Sequence, residues 1–416
     1  MTDKNFDMAQ RIAAAVHEAG GRTFYVGGYV RDRLLGRENK DIDLEVHGVP
    51  VRTLEGILSA LGEPVSMGAS FGVLGLRHYE LDIAMPRSEV ATGRGHRDFA
   101  VSVDPFLGAE KAARRRDFTI NAMMQDVLTG EVLDFFGGRE DLERRRLRHV
   151  DDRTFAEDPL RVFRAAQFAA RFSFSVADQT AALASEMDVA ALPAERVMGE
   201  LEKALLKAAK PSVFFSVLRR MGQLSVWFPE AEGLGRDAMD MPDRAAALRD
   251  RASAPLYFMM AALCAALGCA QGFPEKLTNE ASLMKYVRNM AALCPEPDAL
   301  CRENAPEGAF MELFDRAACP EDLLLLSRAA RTEADPDAER RSADMLALYR
   351  ERMSRPCVMG RDLIEAGARP GPLMGMALER AHALRLAGRP KHEQLCAALD
   401  YLRQLGQDHG KGGNAP

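Results

Sequence analysis

Asp41 and Asp43, in the run Lys40-Asp41-Ile42-Asp43-Leu44-Glu45-Val46, have a spacing that points to chemistry. Acidic and apolar residues alternate, so an extended chain turns Ile42, Leu44 and Val46 to one face and Asp41, Asp43 and Glu45 to the other. Neighbouring carboxylates raise one another's pKa unless a positive charge lies between them, and a hard, oxygen-seeking cation such as Mg²⁺ supplies it. Alone, a D-x-D also fits the solvated face of an edge strand. The preceding run from Val26 to Gly36, V-G-G-Y-V-R-D-R-L-L-G, narrows the choice. Thr23 to Val26 has β character, Gly27 and Gly28 break it, and Tyr29 to Leu35 can start a helix. Bare backbone at that turn, with helix-start N–H groups, Gly28 and Arg31, suits nucleotide phosphates. As a plain turn it would leave Arg31 and Asp32 as a surface pair. A phosphate cradle leading directly into a metal-binding acid pair describes nucleotidyl transfer assisted by two metal ions.

These motifs, G-G-Y-V-R-D-R-L-L-G and then K-D-I-D-L, resemble the opening signature of the class II tRNA nucleotidyltransferase and bacterial poly(A) polymerase family, within the polymerase-β-like superfamily. R-R-D-F-T-I-N-A, Arg115 to Ala122, is similar to that family's second signature. There Arg116 is available for a triphosphate oxygen, Asp117 can hold the ribose or orient that arginine, and Asn121 follows one turn later. Without the resemblance, Asp117 reads as a helix N-cap and the arginines as solvent-exposed. E-D-P-L-R, Glu157 to Arg161, resembles the motif that reads the incoming base. On a helix Asp158, Arg161 and Arg164 share a face, with Val162, Phe163, Ala166 and Phe168 turned elsewhere. An Asp accepts from the exocyclic amine of cytosine or adenine while an Arg donates to acceptors on the same edge. Guanine and uracil lack that order, so such a surface selects C and A without a template. As a bare pair, Asp158 and Arg161 are also a surface i,i+3 ion pair. Many relatives carry an arginine where this chain has Gln167, which leaves the contact at that position open.

The resemblance implies an α+β fold: an N-terminal polymerase-β-like nucleotidyltransferase head with a small mixed sheet over residues 1–150, followed by an all-helical neck, body and tail. The neck is expected over 151–210 with the base-reading motif, the body over 211–350, an RNA-binding tail over 351–409, and a disordered end at 410–416. It further implies Mg²⁺-dependent addition of CCA to the tRNA 3′ end from CTP and ATP. Asp41 and Asp43 are then catalytic metal ligands, and Gly28, Arg31, Arg116, Asp158, Arg161 and Arg164 hold the nucleotide. Poly(A) polymerases and enzymes adding only CC or only A share the head motifs. A silent RNA-binding protein is a third alternative, disfavoured by the intact acid pair and Arg116.

Other stretches complete the comparison. Asp82 is a possible third carboxylate or an ordinary strand residue. Pro86 to Asp98, rich in Gly and Arg, reads as a mobile loop, which in the family helps the switch from C to A. Glu195 to Leu205 resembles a bracing motif, with Glu195, Arg196 and Glu200 forming a salt-bridged brace. Ala261 to Cys269, A-A-L-C-A-A-L-G-C, is similar to an HD phosphohydrolase signature, but Ala265 and Ala266 stand where its metal-binding pair would be. Alanine ligates no metal, so a degenerate helical scaffold is expected. Met359 to Gly375 resembles the family's tail segment, where Arg361 could meet RNA phosphates.

The elements that must position these groups follow from periodicity. Phe6, Ala9, Ile12, Ala13 and Val16 mark a helix ending near Gly20; Val51 to Leu61 reads as another; Phe71 to Met85 alternates like a hairpin turning at His78 to Glu80. With 416 residues, 47% hydrophobic and 28% charged, the chain has room for several domains. Neither a bilayer-spanning run nor a secretory leader is evident, so a cytoplasmic protein is expected, with no obligatory protein partner implied. A net charge of −6 excludes a generally basic protein but not RNA binding, because cations cluster at Arg114 to Arg116 and Arg144 to Arg148. Seven cysteines, all from Cys264 onward and without C-x-x-C, read as reduced core residues rather than a zinc site.

Overall fold

Apolar residues at helical spacing bury Met8, Ala9, Ile12, Ala13 and Val16 along one face of helix α1, Lys4–Glu18. In the computed structural model, which describes residues 4–66, 73–91, 99–269 and 272–410, this helix packs on the sheet that carries the acid pair. Strand β1, Arg22–Val26, leads through a glycine turn into helix α2, Gly28–Leu34, and then strand β2, Ile42–His47. Helix α3 spans Val51–Leu61, and strands β3, Pro64–Ser66, β4, Val73–Leu76, and β5, Leu81–Ala84, complete one side of the sheet.

Strands β6, Arg87–Ala91, and β7, Phe99–Val103, form a separate antiparallel ribbon. The expected loop from Pro86 to Asp98 is therefore corrected at its start: Arg87–Ala91 is a strand. Its partner Phe99–Val103 alternates with period two, a hairpin signal that the glycines and arginines between them hid. Residues 92–98, the centre of the expected loop, lie outside the described residues. Helix α4, Ala109–Arg114, precedes a short 3₁₀ turn at Thr119–Asn121 and strands β8, Met124–Asp126, and β9, Val132–Leu133. The seven-stranded sheet runs β3-β4-β5-β2-β1-β8-β9, mixed because β2 and β5 are parallel while β1 is antiparallel to both β2 and β8. That parallel register sets Asp43 opposite Asp82. Buried Ile42, Leu44 and Val46 anchor one face of β2 and leave Asp43 and Glu45 on the other.

Helix α5, Gly138–Glu143, and strand β10, Arg146–Leu147, close the head. Fully buried Asp141 is neutralised by Arg146 and Arg148, so part of the second arginine cluster is structural, not a free basic surface. Helices α6, Asp152–Ala156, α7, Leu160–Phe172, α8, Asp178–Ser185, and α9, Ala194–Lys207, follow. The segment after residue 150 is not purely helical: strand β11, Ser175–Val176, pairs in parallel with β10.

The chain forms two compact units, Met1–Glu232 and Gly233–Pro416. In the second, the helix Pro255–Leu267 buries every residue from Phe258 to Cys264, as a helix apolar on all sides must. Cys264 and Cys294 are buried, but Cys269, Cys301, Cys319 and Cys357 are half-buried and Cys396 is exposed, so the cysteines are free thiols without being uniformly core. Gly410, expected to begin a disordered end, closes the helix Lys391–Gly410, and 411–416 lie outside the described residues. No described helix is long and apolar enough to cross a membrane.

Candidate active site

The turn between β1 and α2 has to be glycine. Gly27 sits at φ 64°, and a Cβ there would meet Arg116 Nη1 at 3.0 Å and Asp43 Oδ2 at 3.5 Å. Backbone, Asp43 and Arg116 thus share one small space. At Gly28 a Cβ would face Arg31 Nη2 at 3.4 Å. Arg31 is no surface residue: it is 3% exposed, donates Nε to Asp32 Oδ1 and Nη1 to Asn121 Oδ1, and lies over the Phe168 and Phe172 rings. Burying an isolated guanidinium would cost several kcal/mol, which these partners offset.

Asp41 is exposed just before β2, and Asp43 is half-buried within it. Burial pushes the Asp43 carboxyl above its ordinary value; Arg116 opposes this, and Asp82 and Asp41 add to it. Two strand positions on, Glu45 holds Arg116 at 3.1 Å and His47 at 2.8 Å. Burial alone would raise the Glu45 carboxyl, but His47 and Arg116 hold it below the usual range. Among the described residues no three carboxylate, histidine or cysteine side chains are grouped as a metal site. A metal reading therefore rests on Asp41 and Asp43, whose oxygen donors and under-compensated negative charge suit a divalent cation.

The facing wall is the start of α7. Asp158 does not lie on the helix, as its spacing suggested: it precedes Pro159, and its Oδ1 accepts from the Leu160 N–H. Proline disfavours helical geometry in the residue before it, which sets the boundary there. Its other oxygen accepts from Arg196, so the bracing motif on α9 ties to Asp158 while Glu200 binds Lys203 and Arg164. Arg161 donates to the carbonyls of Thr154 and Arg115. Arg164 donates Nε to Asp117 Oδ2 at 2.8 Å, so Asp117 orients Arg164, not Arg116. Phe168, expected on another face, lies under both Arg31 and Arg164.

One cavity of about 550 Å³ is lined by all eight residues singled out from sequence: Gly28, Arg31, Asp41, Asp43, Arg116, Asp158, Arg161 and Arg164. Gln167 also lines it, 1% exposed, with no partner for its Nε2. Sequence reasoning missed Asn39, and it missed the cavity's basic margin of Arg171, Lys203 and Lys207. Arg171 and Lys207 fall at helical spacing from the named residues, which was a usable signal; nothing local marked Asn39.

Residues 23–148 match the family described as the Poly A polymerase head domain. The chain is 41% identical over 218 residues to the multifunctional CCA protein of Haemophilus ducreyi, covering 51% of each. It is 40% identical over 263 residues to the CCA-adding enzyme of Pseudomonas entomophila, covering 60% of this chain and 67% of that one. The alignment to the first spans about half that relative's length. The Bacillus stearothermophilus CCA-adding enzyme solved in complex with CTP superposes with a TM-score of 0.74 at 22% identity, covering 99% of this chain and 100% of that one. This last likeness is one of fold.

Proposed function

Because this chain belongs to the CCA-adding enzyme family, we propose that it adds C, C and A to the 3′ end of tRNA from CTP and ATP, releasing pyrophosphate. The observation that carries this reading is the single cavity in which Asp41, Asp43 and Arg116 face Asp158 and Arg161. The terminal hydroxyl attacks the α-phosphate, forming one P–O bond as the bond to the pyrophosphate oxygen breaks. Divalent cations, Mg²⁺ in this reading, would be held by Asp41 and Asp43 and would acidify that hydroxyl and neutralise charge on the leaving group.

The protein's own groups do the rest. Arg116, anchored by Glu45, turns its guanidinium toward the space beside Gly27, where a triphosphate oxygen can take the remaining donors. Asp158 accepts from the exocyclic amine and Arg161 donates to the neighbouring ring acceptor, the order shared by cytosine and adenine. Arg31 and Arg164 act at one remove: their guanidiniums are committed to Asp32, Asn121 and Asp117, so they set the floor of the pocket and its positive field. Arg171, Lys203 and Lys207 give the 3′ end a basic path to the cavity. Such an enzyme would work in the cytoplasm, where its tRNA and nucleotides are found.

The test supplies purified protein with a tRNA lacking its 3′ CCA, together with CTP alone, ATP alone or both, and sequences the products. Addition of CC from CTP alone and CCA from both is expected. Extended A tracts from ATP alone would favour a poly(A) polymerase, and no incorporation at all would overturn the proposal.

A further inference from the structure

A continuous run of hydrogen bonds, buried at its centre and exposed at its Asp41 end, crosses the floor of the cavity from the acid pair to α7. It begins at the Asp41 N–H, which donates to Asn39 Oδ1 at 3.0 Å, and Asn39 Nδ2 donates to Asp32 Oδ2 at 2.9 Å. Asp32 Oδ1 accepts from Arg31 Nε at 2.8 Å, and Arg31 Nη1 donates to Asn121 Oδ1 at 2.7 Å. Asn121 Nδ2 in turn donates to Asp117 Oδ1 at 3.0 Å, and the other Asp117 oxygen takes Arg164. Arg31, Asp32, Asp117 and Asn121 are all 7% exposed or less.

Charges alternate along this run, and each asparagine bridges the groups on either side of it. Asn121 needs its oxygen toward the Arg31 cation and its amide nitrogen toward the Asp117 anion. Asn39 needs its nitrogen toward the Asp32 carboxylate and its oxygen toward a backbone N–H. Neither can rotate its amide without setting like against like, so each has one orientation. Asn39 is the last side chain before the acid pair, and it fixes the peptide that sets where the Asp41 carboxylate points.

We propose that Asn39 and Asn121 are positioning residues for the Asp41–Asp43 pair, holding it in a geometry ready for divalent cations through Asp32 and Arg31. This inference rests on the metal reading of the acid pair given above. Groups that orient a metal ligand typically change metal affinity by about 10–100-fold when lost. The effect should be graded, larger at Asn39 than at Asn121.

The experiment titrates Mn²⁺ into the full-length protein by calorimetry and by electron paramagnetic resonance, with thermal unfolding followed in parallel. Asn39→Asp sets two carboxylates against each other and is expected to weaken Mn²⁺ binding about 10-fold. The double variant Asp32→Asn with Asn39→Asp exchanges donor and acceptor at unchanged net charge, and is expected to recover most of that loss. If Asn39→Asp does not fold, Asn39→Ala carries the same expectation. Unchanged Mn²⁺ affinity in the single variant, or a double variant no better than the single, overturns the inference. Wild-type protein that binds no Mn²⁺ would instead overturn the metal reading itself, so the two failures are distinguishable.

Discussion

The two walls of the cavity treat charge in opposite ways. On the side built around the start of α7 three ionised groups are matched: Arg164 with Asp117, Asp158 with Arg196, Arg161 with two carbonyls. On the head side Asp43 is pushed toward its protonated form by burial and by Asp82 and Asp41, with Arg116 as the opposing cation and Glu45 competing for it. One wall is complete as folded and can present a fixed pattern to a base; the other is short of positive charge. A surface that stores unfavourable charge costs stability, so its retention points to a cationic ligand.

The contrast breaks most severely at Asp43. Asp43→Ala removes one of the two carboxylates proposed to hold cations and leaves the facing wall untouched, and is expected to lower CMP incorporation by about a thousandfold while tRNA binding by filter retention stays within about twofold. Arg164→Ala attacks the matched wall: it leaves Asp117 and Glu200 buried with less counter-charge, which should cost about 3 kcal/mol and lower Tm by roughly 10 °C in calorimetry. Asp158→Ala should barely alter stability, by under about 1 kcal/mol, because its partner Arg196 and Asp158 itself are partly exposed. Its effect should fall on selectivity, with UTP misincorporation rising roughly 10-fold, the size of one lost base contact.

The smallest effect sharpens the comparison through pH. The native Asp43 carboxyl lies above its ordinary value of 3.8, so between that value and the raised one the folded protein holds more protons than the unfolded. Stability of the metal-free protein then falls as pH rises through this window, and the deficit is complete above it. Metal-free Asp43→Asn is accordingly expected to melt roughly 2 °C higher than wild type at pH 7, with the difference vanishing below pH 3.8.

How much of this could be read from sequence also differs between the walls. Asp43 and Gly28 sit in short motifs whose spacing sets them on one strand and one turn, and Asp41 directly precedes that strand, so this part of the head wall was legible. On the neck, the helix period correctly grouped Arg161 with Arg164 but wrongly placed Asp158 on the helix and Phe168 away from the cavity, because proline ended the helix and the aromatic ring reached back over the preceding turn. The pairing of Asp117 with Arg164 joins residues 47 positions apart and the bond from Asn121 to Arg31 spans 90, distances over which periodicity carries no information. The ribbon at Arg87–Ala91 was hidden because a short strand beside glycines and arginines has too few residues to establish a period of two.

The most direct test compares Mn²⁺ uptake in the presence of CTP by wild-type protein and by the Asp41→Asn, Asp43→Asn double variant, read by electron paramagnetic resonance. Tight uptake by wild type, lost in the variant while its melting curve stays cooperative, is the expected result. Equal uptake by both would mean that the charge-deficient wall is not where cations bind.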